Sequence, residues 1–128
     1  MPGLNRVQLI GYLGRDPETR FTPTGKQYTT FSVAVTRRWK GSDGEPKEAT
    51  DWFNIETWGR LAEICQEYLS KGRLVYVEGR LHTDRYEQDG QTRYFTKVIA
   101  SQMQILDRRS EEDPALEASA PPEDSTEG

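Results

Sequence analysis

One segment of this sequence has helical periodicity, and the segments on either side of it have compositions typical of β-strands. In "RLAEICQEYLSKG" (60–72) the apolar residues recur with the spacing of one helix face, at Leu61, Ile64, Cys65, Tyr68 and Leu69. Lys71 is predicted to lie in the last turn and Gly72 to end the helix. The chain is therefore expected to fold as a β-protein that contains one inserted helix.

Three strands are predicted before this helix and two after it. Segments 6–14, 27–39 and 51–59 are rich in β-branched and aromatic residues. Segments 72–88 and 91–106 flank Asp89-Gly90, a strong signal for a tight turn. This order predicts the all-β OB-fold with one helix, a five-stranded Greek-key barrel whose members bind oligonucleotides or oligosaccharides.

Two connecting segments have the composition of turns and loops. Residues 15–26 contain two prolines and a glycine and are predicted to form turns. Residues 40–50 are polar and rich in glycine and charge, which predicts a long, mobile hairpin loop.

Charge divides the chain into a folded domain and a tail. Residues 1–109 hold all 17 Lys and Arg and 14 of the 21 Asp and Glu, for a net charge of +3. Residues 110–128 hold the other seven acids, three prolines and no aromatic residue, for a net charge of −7. We therefore expect a domain over 1–109 and a disordered acidic tail over 110–128.

Sequence features disfavour a membrane protein, a secreted protein and an enzyme. No stretch approaches the roughly 18–20 apolar residues that span a bilayer, and the N-terminus does not resemble a secretory signal. The only cysteine, Cys65, falls on the apolar helix face, where an inert thiol is expected, and His82 is the only histidine. With no Cys/His cluster and no phosphate-binding glycine loop, we expect a cytoplasmic, non-catalytic protein without metal or cofactor.

Strand alternation separates an aromatic, polar face from an aliphatic face. In segment 51–59 the polar face carries Trp52, Asn54, Glu56 and Trp58, and the other face carries Phe53, Ile55 and Thr57. In segment 72–88 the polar face carries Tyr76, Glu78, Arg80, His82, Asp84 and Tyr86. A surface that holds a single nucleic-acid strand needs this combination, because aromatic rings stack on bases and cations contact phosphates.

Each tryptophan also has a structural interpretation. A tryptophan in a strand is more often packed than functional, and Trp58 could be buried under the helix that follows it. Trp39 shares the parity of Phe31 and Val35, so simple alternation predicts that it lies in the core. Only a bulge or strand curvature over residues 36–38 would turn it outward.

Several blocks resemble the bacterial single-stranded-DNA-binding protein family. They are "NRVQLIGYLGRDPETRFTPTG", Trp39 before a hairpin, "DWFNIETWGRLAE" and "EYLSKGRLVYVEGRL". The resemblance covers about residues 4–106. It implies an OB-fold that assembles as a homotetramer and coats single-stranded DNA, without sequence specificity, in replication, recombination and repair. It also implies a cytoplasmic, nucleoid-associated location.

The resemblance implies specific site residues. The aromatic residues expected to stack on bases are Trp39, Trp52, Trp58 and Tyr86. The neighbouring cations expected to contact phosphates are Arg37, Arg38, Lys40 and Arg80. Family members commonly end in an acidic stretch with an Ile-Pro-Phe tip that docks on replication and repair proteins. This sequence ends in "PPEDSTEG" without that tip, which leaves recruitment of such partners open.

Two other functions also remain open at this stage. An OB-fold protein that binds RNA or acts in replication restart would present a similar basic, aromatic surface. An OB-fold module that binds only proteins would not stack on bases at all.

Overall fold

The computed structural model describes residues 3–107, which form six strands and one helix. These are β1 (Val7–Leu13), β2 (Glu18–Phe21), β3 (Gln27–Lys40), β4 (Pro46–Trp58), α1 (Gly59–Tyr68), β5 (Leu74–Gln88) and β6 (Gln91–Ile105). Five strands close a barrel in the order β1-β5-β6-β4-β3, and β3 pairs back to β1. The prediction of a five-stranded OB barrel with a helix between its third and fourth strands is confirmed. The acidic tail predicted over 110–128 lies outside the described residues.

Alternating burial along the strands builds the core. The buried hydrophobic side chains belong to β1, β3, β4, β5, β6 and α1, with Phe31, Val33, Ile55, Val75, Val77 and Val98 among them. The helix packs against β3, where the Thr29 hydroxyl donates to the Ala62 carbonyl at 2.9 Å. Cys65 is fully buried, and this burial raises the pKa of its thiol to about 12 despite a hydrogen bond to Thr57. The thiol is therefore protonated and inert at neutral pH, as predicted.

The prediction that residues 15–26 form only turns is wrong, because they contain β2. This strand pairs antiparallel with β3, from Glu18 opposite Thr30 to Phe21 opposite Gln27. The two prolines of the segment lie outside the strand, so none of its ladder donors is lost. Proline content therefore marked the ends of a short strand.

The prediction of a long loop over residues 40–50 is also wrong. Pairing of β3 with β4 continues without interruption to Lys40 opposite Pro46. A five-residue turn remains, in which the Gly41 N–H donates to the Glu45 carbonyl at 2.8 Å. The polar composition reflects exposure of both faces of the hairpin, and ion pairs such as Arg38–Glu48 (3.0 Å) lie along it.

The helix ends at Tyr68, before the predicted end near Lys71 and Gly72. Leu69 is extended (φ −94°, ψ 149°) and buried, and its N–H donates to the Cys65 carbonyl. Beyond it, the Lys71 N–H donates to Asp16 Oδ1 at 2.8 Å and the Gly72 N–H to the Leu13 carbonyl at 2.9 Å. Tertiary hydrogen bonds to the last residue of β1 and to the β1–β2 connection thus replace a further helical turn.

The tight turn predicted at Asp89-Gly90 is confirmed. Both residues have positive φ, 52° and 75°, and they connect Gln88 to its cross-strand partner Gln91. Such a two-residue turn matches the twist of the paired strands.

A close contact between β1 and β3 closes the barrel. A Cβ added at Gly11 would collide with the Ala34 carbonyl oxygen and would lie 2.7 Å from Val33 Cγ1. Closure at this point therefore requires a residue without a side chain. Within residues 3–107, the helix lacks the length and the apolar composition that crossing a membrane requires.

Candidate nucleic-acid interface

Two hairpins extend past the core and expose both of their faces. In β3 the alternation of buried and exposed residues stops after Val35, and residues 36–40 are all exposed. In β6 residues 91–96 are all exposed. We call residues 36–50 the β3–β4 arm and residues 83–96 the β5–β6 arm. Side chains on either face of an arm are open to a ligand.

Trp39 is 45% exposed, although its parity predicts a core position. No bulge turns it outward, because the pairing of β3 with β4 is continuous past this residue. Trp39 lies on the core-side face of β3, at a point where the arm has already passed beyond the core. The guanidinium carbon of Arg37 lies 5.0 Å from the centre of its ring, and Arg37 Nε donates to Asp51 at 2.9 Å.

Trp52 lies on the opposite face of the hairpin and is 60% exposed. It pairs with Ala34 on β3, so it shares the outer face of that strand with Arg38 and Lys40. Its ring lies over Gly14, where an added Cβ would be 2.8 Å from Trp52 Cη2. The missing side chain at Gly14 thus leaves space for the indole at the end of β1.

Trp58 is 38% exposed and is held by two neighbours rather than buried under the helix. Its ring stacks on that of Tyr28, with centroids 4.8 Å apart and an angle of 25° between the planes. Its Nε1–H donates to Glu56 Oε2 at 2.6 Å. One face of the indole is therefore covered by Tyr28, and its N–H edge is held by Glu56.

A chain of charged hydrogen bonds continues from Trp58 across β6 to β5. The Lys97 ammonium donates to Glu56 Oε1 at 2.7 Å and pairs with Asp84 Oδ2 at 2.9 Å. His82 Nε2 lies 3.1 Å from Asp84 Oδ1. Burial opposes the charge of Lys97, but its hydrogen bonds to Glu56 and Asp84 outweigh this and raise its pKa above the ordinary value. The hydrogen bond from Lys97 is the main cause that lowers the pKa of Asp84. Lys97 and Asp84 are therefore both ionised at neutral pH.

Arg80 and Tyr86 lie on the same side of the sheet, on either side of His82 and Asp84 along β5. Tyr86 is 44% exposed, opposite Arg93, and shares its parity with Asp84. Arg80 is exposed as well. Neither Arg80 nor Lys40 forms an ion pair with any residue in the range 3–107, so both cations are available to a ligand. We call the outer side of β3, β4, β6 and β5 the polar face; it carries Tyr28, Arg38, Lys40, Trp52, Glu56, Trp58, Arg80, His82, Asp84, Tyr86 and Lys97.

The structure thus divides the eight predicted site residues into two groups. Six lie on the polar face, namely Trp52, Trp58, Tyr86, Arg38, Lys40 and Arg80. Trp39 and Arg37 lie on the other face of the β3–β4 arm. Sequence reasoning missed Tyr28 and Lys97. The correct register of the β3–β4 hairpin would identify Tyr28, because it pairs Tyr28 with Trp58. Lys97 meets Glu56 only through the long-range parallel pairing of β4 with β6, for which the sequence has no local signal.

Metal binding has no support in the part of the chain that the structure describes. Residues 3–107 contain no group of three or more His, Cys, Asp or Glu side chains arranged to hold a metal ion. The chemistry available at the polar face is stacking, hydrogen bonding and charge.

Comparison with known proteins identifies one family and several relatives that bear the same name. Residues 4–106 match the model of the single-strand binding protein family. The chain is 51% identical to "Single-stranded DNA-binding protein 2" of Streptococcus agalactiae over 107 residues, which cover 84% of this chain and 80% of that protein. It is 45% identical to "Single-stranded DNA-binding protein 1" of Chlorobaculum tepidum over 106 residues, which cover 81% of this chain and 65% of that protein.

Solved structures agree with the sequence comparison. A Plasmodium falciparum SSB in complex with single-stranded DNA superposes with a TM-score of 0.79 at 33% identity, covering 84% of this chain and 98% of that one. A deletion mutant of the single-stranded DNA binding protein from Thermus aquaticus gives a TM-score of 0.75 at 34% identity, covering 84% and 52%. The match of residues 4–106 to the family model and the superposition of the barrel on these structures show that the chain belongs to the single-strand binding protein family.

Proposed function

We propose that this protein binds single-stranded DNA without sequence specificity and protects it during replication, recombination and repair. In this proposal the bases stack on Trp39, Trp52, Trp58 and Tyr86. The phosphates are contacted by Arg37, Arg38, Lys40 and Arg80. No catalytic step is involved, and the protein acts in the cytoplasm, on nucleoid DNA.

The exposure of the three tryptophans is the observation that carries the proposal. Trp39, Trp52 and Trp58 are 45%, 60% and 38% exposed, although aliphatic side chains fill the core beside them. Large exposed aromatic rings lose hydrophobic stabilisation, so their exposure favours a ligand that covers them. Unpaired bases are such ligands, because every base offers a π-face regardless of sequence.

The exposed cations fit the same ligand. Lys40 and Arg80 lie on the polar face, are exposed and have no ion pair within residues 3–107, so phosphates can approach them. Arg37 and Arg38 are paired with exposed acids at 2.9 and 3.0 Å. Exposed ion pairs are worth about 1 kcal/mol or less, so a polyanion can replace the acidic partner at small cost.

Tryptophan fluorescence titrated with oligonucleotides at several salt concentrations tests the proposal. We expect quenching by oligo(dT), oligo(dC) and mixed single strands with similar affinities, because stacking does not depend on sequence. The affinity should fall with a log–log slope of about −0.7 per phosphate contacted, because counterions are released on binding.

Duplex DNA of matched length and single-stranded RNA are the controls for that titration. A preference for duplex DNA or for one defined sequence would contradict the proposal. Tighter binding of RNA would favour the RNA-binding alternative, and unchanged fluorescence would favour a protein-interaction module.

We also propose that the protein assembles as a homotetramer. β3 pairs with only Tyr12 and Leu13 of β1, so one edge of the preceding part of β1 is open to another strand. Ile10 and Tyr12 on the outer face of β1 are 56% and 55% exposed, which leaves apolar surface for a second copy to cover. One OB-fold holds only about 4–16 nucleotides, so several copies are needed to hold a long strand.

Light scattering at micromolar concentration should give about four times the mass of one chain. Ile10→Glu should lower this mass, because a buried unpaired carboxylate is costly at an interface. Phe21→Glu, at an aromatic residue of β2 that is 64% exposed, is the matched control and should leave the mass unchanged. The mass of a single chain for the unsubstituted protein would refute the assembly.

A further inference from the structure

Two carboxylates of the polar face share a single ammonium group. Glu56 and Asp84 surround one ammonium group, that of Lys97, at 2.7 and 2.9 Å. Glu56 is only 8% exposed, so it cannot turn away into solvent. Electrostatic attraction to a polyanion would not select this arrangement. The two carboxylates therefore need a role other than attracting phosphate.

Glu56 uses both of its carboxylate oxygens to hold other groups of the polar face. Oε2 accepts a hydrogen bond from the indole N–H of Trp58 at 2.6 Å, and Oε1 accepts one from the Lys97 ammonium at 2.7 Å. Hydrogen bonds to ionised groups are about twice as strong as neutral ones. Tyr28 covers one face of the indole by stacking. Trp58 is nevertheless 38% exposed, so the face that Tyr28 does not cover is the one that a base can reach.

We propose that Glu56 is a positioning residue for base stacking, which fixes the Trp58 indole so that its free face is ready for a base. Lys97 and Asp84 support it by fixing the carboxylate of Glu56. The inference rests on the proposed binding of single-stranded DNA. A ring that is already immobilised loses less conformational freedom when a base stacks on it, and the affinity rises accordingly.

The sign of a substitution effect separates this role from a purely electrostatic one. Removing the charge of Glu56 makes the polar face more positive, so charge alone predicts tighter binding of DNA. Loss of positioning predicts weaker binding. The two explanations therefore give opposite results in the same titration.

Glu56→Leu should lower the affinity for oligo(dT) by about 3- to 10-fold. Glu56→Gln retains an oxygen that can accept the indole N–H and should lower it less. Glu63→Gln is the matched control: this glutamate pairs with Arg60 on the exposed side of α1, so its substitution removes the same charge away from the polar face. The control should bind as tightly as the unsubstituted protein or slightly more tightly.

A double-mutant cycle with Trp58→Phe tests whether Glu56 acts through the indole. Phenylalanine retains a stacking ring but has no N–H to donate. In the Trp58→Phe background, Glu56→Leu should change the affinity by less than about twofold. In the protein without DNA, Glu56→Leu should also shift the NMR signal of the Trp58 indole N–H and speed its exchange with water.

Thermal melting of each variant gives its folded fraction, and the measured affinities are corrected by this fraction. If Glu56→Leu does not fold, the affinity of Glu56→Gln is the measurement that tests the inference. Equal or tighter binding by both Glu56 variants overturns the inference alone. An equal loss in the Trp58→Phe background does the same, because Glu56 would then act through another group. Failure of the unsubstituted protein to bind oligo(dT) overturns the proposed function, and the inference with it.

Discussion

Replacing Trp52 by alanine is expected to weaken binding of oligo(dT) by about 5- to 150-fold, because one base–aromatic stack contributes about 1–3 kcal/mol. The protein should stay folded, since most of the indole is exposed and the core lies on the other side of β4. Because the substitution removes one of the three tryptophans that give the intrinsic fluorescence, binding should be measured by the fluorescence anisotropy of labelled oligo(dT). Thermal melting shows whether the variant is folded.

Phe21→Ala is the matched control for Trp52→Ala. Phe21 is also a highly exposed aromatic residue in a strand, but it pairs with Gln27, so its side chain lies on the face of the sheet opposite that of Tyr28 and the polar face. Its removal should leave the affinity within about twofold of the unsubstituted value. If Trp52→Ala unfolds the protein and the affinity per folded molecule is unchanged, Trp52 acts in packing and the proposed stacking is wrong.

Gly11→Ala is expected to lower the free energy of unfolding by about 1–3 kcal/mol and the melting temperature by roughly 5–20 °C. The added methyl group would collide with the Ala34 carbonyl oxygen, which belongs to the backbone of β3 and cannot rotate away. Strands β1 and β3 must separate to make room, and this is where the barrel closes.

Gly41→Ala shows whether that loss comes from a backbone collision. Its added methyl group would lie 2.7 Å from Lys47 Cε, in a long, half-exposed side chain that can move. The loss of stability should therefore be well below that of Gly11→Ala. Equal melting temperatures for Gly11→Ala and the unsubstituted protein would mean that the closure tolerates a side chain.

Alternation made the faces of the strands predictable, because the side-chain direction in a strand is a local property. It correctly separated Trp52 from Phe53 and Ile55, and it placed Tyr86 with Asp84. It failed for Trp39 in a specific way. Parity gives the face of the strand, but whether that face is covered depends on how far the strand extends past the core, and this is set by the whole barrel.

Strand register was less predictable, because it depends on the length of the turn, which the polar composition of residues 40–50 does not reveal. A loop over 40–50 would place Trp39 opposite Asp51, whereas Trp39 pairs with Lys47. In that register Tyr28 has no cross-strand partner, so its stacking on Trp58 is not predicted. The contact between Glu56 and Lys97 has no local signal at all, because β4 and β6 pair across more than forty residues of chain.

The hairpin of β3 and β4 carries Trp39 on one face and Trp52 on the other, with an unbroken two-stranded ribbon between them. A straight oligonucleotide lies along one side of a ribbon and meets one of these rings. A strand that stacks on both must turn around the edge of the arm. Binding by this protein should therefore shorten the distance between the ends of the DNA. Energy transfer between dyes at the two ends of a long oligo(dT) would report that compaction. For oligonucleotides too short to make the turn, the second tryptophan should add nothing to the affinity.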